Sequence, residues 1–202
     1  VENISADVAG RLKRYVENGG TVIAEAPFAF KDTDGHLIYH APGFGLDEVF
    51  GGWTADREGR ETASPITCPQ GEAKAHFFWH EFTLTDGGQA IATYADGTPA
   101  VIANDYGKGR AVLAGTEVFR QYSLDPQPAM TALLQTEIRA SGVRSTAVIQ
   151  GDVANIEVSR LTGPGGLLVL ITNHNPREVS FELELPDTGP WIDLETGKRR
   201  EI

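Results

Sequence analysis

Cysteine is almost absent from this chain: Cys68 stands alone. One thiol builds neither an internal disulfide framework nor a thiolate zinc cluster, so cysteine usage gives no sign of an oxidising compartment. Basic residues are also few, 17 Lys and Arg against 28 Asp and Glu, for a formal net charge of −11. A surface of that sign repels phosphate backbones and anionic bilayers, which argues against nucleic acid or a membrane as partner. No apolar run approaches the roughly 20 residues that cross a bilayer, and the first residues carry no signal-peptide pattern. The expected location is cytoplasmic. The chain is expected to hold neither a metal nor a cofactor.

What is present is strand signal. Ile91 to Thr116 reads as consecutive strands, with Asp96-Gly97 as a two-residue hairpin turn and Asp105 to Arg110, carrying two glycines, as a longer one. Ala100 to Ala103 and Ala111 to Ala114 are short, wholly apolar and bounded by turns, as strands covered on both faces are. Something must therefore pack on each side. At 202 residues the chain has room for one large domain or two modest ones.

Ahead of that stretch, Val8, Leu12, Tyr15 and Val16 share one helical face over about Ser5 to Asn18, with Ser5 as cap and Gly19-Gly20 as stop. A strand, Thr21 to Ala26, follows at once. Helix, glycine stop and buried strand make half of an α/β unit, and such a unit expects an earlier strand to pair with. None stands before Ser5. Phe28 to His40 reads as a hairpin about Asp34-Gly35, Pro42-Gly43 breaks the chain, and Leu46 to Phe50 is a short helix. Residues 54–74 are polar without a sustained period and are expected to be a long surface excursion. His76 to Phe82 reads as a strand. Pro128 opens a helix whose apolar face is Met130, Leu133, Leu134 and Ile138, stopped at Gly142.

From about residue 146 the pattern changes to strands without helices. Asn155 to Leu161, Leu167 to His174 and Glu178 to Leu185 are separated by Gly163-Pro164-Gly165-Gly166 and Asn175-Pro176. In the third, Val179, Phe181, Leu183 and Leu185 alternate with Glu178, Ser180, Glu182 and Glu184, one face core and one wet. Trp191 to Leu194 and a terminal strand follow, joined by Glu195 to Lys198. The expected organisation is an α/β domain over 1–145 and a small antiparallel β domain over 146–202.

Each residue with chemistry has a plainer alternative. Cys68 lacks the glycine-bracketed elbow that exposes a nucleophile and reads as a packing or loop thiol. His36 with His40, and His76 with His80, have an i, i+4 spacing that on strands spans roughly 13 Å, too far for one ion. Lys31-Asp32-Thr33-Asp34-Gly35 has its glycine too early for a calcium loop and reads as a turn. Gly107-Lys108-Gly109-Arg110 lacks the phosphate-loop spacing and the helix that would follow. Asn3-Ile4-Ser5 matches a glycosylation sequon, but Ser5 serves better as a cap. Glu25, Glu81 and Glu117 are acids of the type glycosidases pair about 5–10 Å apart, and solvated acids are the commoner setting. Trp53, Trp79 and Trp191 are stacking faces of the kind sugars prefer; Trp191 reads as core. No catalytic, cofactor-binding or metal-ligating residue is assigned.

The motifs in series carry a resemblance. Tyr15 to Ile23, Pro42-Gly43 with Leu46 to Gly51, Thr98 to Val101 running into Gly107 to Arg110, and Ala114-Gly115-Thr116 are similar to the trimerisation domain of glycoside hydrolase family 42 β-galactosidases. Leu168 to Asn175 and Asp193 to Gly197 resemble that family's small C-terminal β domain. The resemblance implies a flavodoxin-like, class I glutamine amidotransferase-like domain, here without its first strand and helix, which would leave a sheet edge exposed. It implies a non-catalytic assembly region, self-association as a trimer, and a catalytic barrel elsewhere in the same polypeptide that holds the catalytic glutamates. Two other readings stand beside it: a small amidotransferase-like enzyme, and a carbohydrate-binding or interaction module.

Overall fold

The computed structural model describes residues 1–59, 63–143, 147–150, 154–185 and 190–201. The chain divides into two units, Val1–Gly142 and Val143–Ile202. The boundary expected at 145/146 lies outside the described residues.

The first unit opens with α1 (Ala6–Glu17), where Ser5 Oγ accepts the Val8 amide at 3.3 Å and so caps the helix as its sequence demands. The buried face is set by Ala9 and Val16, whereas Val8 and Tyr15, expected inside, are exposed. Ala9 explains the rotation: a methyl group lets the helix approach the sheet closely, and the larger neighbours are left at the flank. β1 (Thr21–Glu25) follows, then α2 (Leu46–Phe50), as the sequence predicts. Between them Phe28 to His40 forms a turn held by a single antiparallel bridge, Lys31 with Leu37, rather than a strand pair.

The expected excursion over 54–74 is overturned. It contains β2 (Gly52–Gly59), β3 (Ser64–Cys68) and β4 (Gly71–Ala75). Ser64, Ile66, Cys68, Ala73 and Ala75 are buried at alternate positions. The period of two was present, but written mostly in small side chains that do not register as apolar. Next come β5 (Phe78–Leu84), β6 (Gln89–Tyr94), β7 (Pro99–Tyr106) and β8 (Gly109–Ala114), then α3 (Val118–Leu124), which the sequence reading left unassigned, and α4 (Pro128–Ala140).

One mixed sheet, β1-β8-β7-β6-β3-β4, organises this unit, and β2 pairs with β5 as a separate ribbon. β1 lies at an edge of the sheet and runs parallel to β8, so its partner comes later in the chain rather than earlier. The other pairs of the sheet are antiparallel. The prediction that β7 and β8 are covered on both faces holds. Val101, Ala103, Val112 and Ala114 join one apolar cluster with Met130, Leu133 and Leu134 of α4. Ile102, Ala111 and Leu113 point the other way, into a cluster with Ala9 and Val16 of α1 and Leu46, Val49 and Phe50 of α2. Each such large aliphatic side chain contributes about 1.5–3 kcal/mol by leaving water.

Two details lock the layers. Gly107 has φ of 62°, and a side chain at Gly109 would collide with the carbonyls of Gly20 and Val16. The Gly107-Lys108-Gly109 turn is thereby seated on the end of α1, where the Lys108 amide donates to Glu17 O at 3.0 Å. On α4, Ile138 is exposed and Glu137 is buried in its place. Arg110 of β8 explains the exchange, since its Nε donates to Glu137 at 2.6 Å and its Nη1 to Asp105 at 2.8 Å.

The second unit consists of paired strands. β9 (Val148–Gln150), β10 (Ile156–Gly163), β11 (Gly166–Asn173), β12 (Glu182–Glu184), β13 (Pro190–Ile192) and β14 (Arg199–Glu201) form three two-stranded antiparallel pairs, β10-β11, β12-β9 and β13-β14. The strand expected over Glu178 to Leu185 shrinks to its end, because its partner, unrecognised β9, spans only three residues. Alternation nevertheless persists: Val179, Phe181, Leu183 and Leu185 are half-buried and the residues between them exposed.

Candidate functional site

The carboxylates fall into two settings. Glu25 ends β1 and its Oε2 accepts the Phe119 amide at 2.8 Å, capping α3 from a distant part of the chain, because the N-cap residue Glu117 makes no side-chain cap of its own. Burial raises the Glu25 pKa, the Phe119 amide opposes that rise, and the charge of Glu117 adds to it. Glu117 is itself paired with Arg120 at 2.9 Å. Thus Glu25 and Glu117 are neighbours at one helix terminus, each occupied by a partner. Glu81 lies on β5 opposite Asp56 of β2.

Cys68 is buried on β3, and desolvation pushes its thiol up to about 11, so it stays protonated at neutral pH. The histidines do not share strands as their spacing suggested. His36 sits in a turn, its Nδ1 3.3 Å from Asp32 Oδ2. The amides of His36 and Asp34 both donate to Asp32 Oδ1 at 2.9 Å, which holds the Asp32 carboxyl below its usual range. Donor atoms of Asp32, Asp34 and His36 lie within 4.8 Å of one another, a grouping this side-chain-to-backbone turn makes by itself. His76 precedes β5, separated from His80 by Phe77 in a left-handed conformation (φ 69°). His80 is fully buried, edge-on to Phe30 at 5.9 Å, and among the described residues neither ring nitrogen has a hydrogen-bond partner. Burial drives its pKa down to about 4, with Arg57 adding to the effect. The imidazole is neutral.

The tryptophans differ in role. Trp79 packs on Tyr94 at 4.2 Å within the core, and Trp191, expected inside, is half-buried. Trp53 of β2 instead belongs to a surface stack: His40 lies on it at 4.5 Å and 28°, and Tyr39 leans on His40 at 4.9 Å. Tyr39 escaped the sequence reading. Its signal was available, since the ten residues from Leu37 to Leu46 carry no formal charge in a chain of net −11. A sheet whose β7 and β8 are covered on both faces, Glu25 and Glu117 committed to helix capping and ion pairing, and an aromatic stack at the surface define a scaffold with a surface to offer.

Comparison with known proteins agrees with that class. Residues 1–141 match the β-galactosidase trimerisation domain family, and the chain belongs to it. β-Galactosidase LacA of Lactobacillus acidophilus is 26% identical over 195 residues, covering 94% of this chain and 27% of the relative. β-Galactosidase BgaP of a Planococcus species is 23% identical over 188 residues, 87% of this chain and 26% of the relative. The β-galactosidase from Bacillus circulans sp. alkalophilus superposes with a TM-score of 0.81 at 20% identity, over 99% of this chain and 29% of that one. The cold-adapted β-galactosidase from Rahnella sp. R3 gives 0.74 at 19% identity, over 93% and 28%. The chain therefore spans about a quarter of the length of the proteins it matches. Among the described residues no helix is long and apolar enough to cross a membrane.

Proposed function

We propose that this chain is the non-catalytic assembly region of a β-galactosidase-like glycoside hydrolase. The observation that carries the reading is the family match over residues 1–141 together with coverage of only 27% of a curated relative. Residues 1–145 are the trimerisation domain and 146–202 a separate β domain. The catalytic barrel belongs to the same polypeptide, and the whole works in the cytoplasm as a homotrimer. The parallel β1–β8 pair, with α1 on one face of the sheet and α4 on the other, supports descent of the first domain from a flavodoxin-like, amidotransferase-like fold. Glycoside hydrolysis needs an acid and a second carboxylate aimed at one sugar. Glu25 and Glu117 are neighbours but are directed at a backbone amide and an arginine, which supports a structural role for both.

Light scattering on the purified 202-residue chain tests the assembly half, with a trimer expected. Nitrophenyl β-galactoside turnover tests the other half, with none expected. Turnover that survives repurification and vanishes in Glu25→Gln or Glu117→Gln overturns the non-catalytic reading.

A further inference from the structure

We propose that Asn18 is the site at which this chain loses ammonia spontaneously, and that the closed end of α1 sets the rate. Asn18-Gly19 is the one Asn-Gly pair in the sequence, and every other asparagine is followed by a residue with a side chain. In such a pair the glycine amide nitrogen attacks the asparagine Cγ. The bond from Cγ to the side-chain nitrogen breaks, and ammonia leaves with the proton of the attacking amide. Water then opens the cyclic imide at either carbonyl, giving aspartate or isoaspartate with one added negative charge. Glycine favours the attack because no Cβ shields its amide or restricts its backbone.

The fold requires this labile pair. Gly19 stops α1 at φ of 108°, where any side chain is strained. Asn18 is exposed, so water reaches it. Yet both reacting groups are engaged. Asn18 Nδ2 donates to Arg14 O at 2.7 Å, which ties the side-chain amide back to the preceding turn. The Gly19 amide donates to Val16 O at 2.9 Å, which holds the proton that its nitrogen must lose to attack.

Neighbouring elements close the same corner. The Gly20 amide donates to Tyr15 O at 2.9 Å, the Lys108 amide to Glu17 O at 3.0 Å and the Arg110 amide to Gly20 O at 3.2 Å. The Tyr15 ring covers the outer side so closely that a Cβ at Gly20 would lie 2.3 Å from it. Reaction therefore runs from a locally opened state in which the end of α1 has left the β7–β8 turn. The product cannot restore the closure. A carboxylate has no donor for Arg14 O, and its charge stands at the negative end of the helix. Isoaspartate also inserts a methylene into the backbone between the helix and its stop.

The test incubates the full chain at neutral pH beside the isolated peptide of residues 15–21, with conversion at each asparagine read by mass-spectrometric mapping in heavy-oxygen water. Two variants accompany it. Tyr15→Ala uncovers the corner by removing an exposed side chain, and Leu133→Ala weakens the unit from α4, in the apolar cluster on the opposite face of the sheet. Thermal unfolding checks that both fold. Asn18 is expected to convert before any other asparagine, about tenfold or more slower than in the peptide, and about threefold or more faster in Tyr15→Ala than in the unsubstituted chain. Leu133→Ala should leave the rate unchanged. Conversion at the peptide's rate, another asparagine ahead of Asn18, or equal rates in Tyr15→Ala and the unsubstituted chain overturns the proposal. Equal acceleration in Tyr15→Ala and Leu133→Ala overturns it too, since ammonia would then leave through global unfolding rather than through this corner.

Discussion

The two units bury their apolar residues in different ways. The first wraps a mixed sheet with helices on both faces, so β7 presents four consecutive residues, Ala100 to Ala103, with no exposed surface at all. Among the described residues of the second unit none is fully buried. Its strands come in pairs, and a two-stranded ribbon has one face to hide and no layer of its own to hide it behind. Leu161, Leu168 and Leu170 of the β10–β11 hairpin are all exposed. The lesson is that similar hydrophobic content gives a core in one case and a decorated ribbon in the other. What differs is the number of layers, not the residues.

That contrast is sharpest in substitution. Leu113→Ala, at the centre of β8, removes a side chain packed between sheet and helices and should cost about 2–5 kcal/mol in denaturant unfolding of the first unit. A loss under 1 kcal/mol would mean the layer relaxes into the space, contrary to the packing described.

A second break in the comparison is acid. His80 is neutral in the fold, its pKa near 4, while the unfolded chain takes up that proton near 6.5. The unfolded state then binds more protons between those values, so stability is retained at neutral pH and falls as pH drops through the window. The slope is ~1.4 kcal/mol per pH unit and the total about 3 kcal/mol at pH 4. His80→Leu should flatten that slope relative to the unsubstituted chain in denaturant titrations at stepped pH. Identical slopes in the two proteins would show that the imidazole does not carry it.

The smallest effect belongs to the second unit. Leu170→Ala should change stability by no more than about 0.5 kcal/mol, since the residue already faces solvent. A loss of several kcal/mol in the isolated chain would show that this leucine is covered in solution and would erase the distinction between the units.

Much of the first unit was legible. Ser5, Gly19 and Gly20 fix the bounds of α1, Gly45 and Gly51 frame α2, and the apolar runs of β7 and β8 announce burial on both faces. These are local facts, set by caps, glycine backbones and periodicity. Three kinds of feature were not local. β3 and β4 were hidden because their buried positions, Ile66 apart, are Ser, Cys and Ala, small residues whose role depends on how near the next layer stands. Glu137 replaced Ile138 in the core because Arg110, 27 residues away, supplies its counter-charge. Glu25 became the cap of a helix that begins at Val118, a partnership of 94 residues' separation with no trace in either neighbourhood.

The sequence by itself determined the place of α1, α2 and α4, the turns at Asp96-Gly97 and at Asp105 to Arg110, the acidic charge balance and the family resemblance, since each rests on residue type and short-range spacing. Tertiary structure alone decided that β1 pairs with a later strand, that Glu25 and Glu117 are spent at one helix terminus, and that Tyr39, His40 and Trp53 stack at the surface. The reason is physical. A turn or a cap is closed by a few neighbouring residues, whereas which side chains meet across layers depends on interlayer distance and register, which the whole chain sets together.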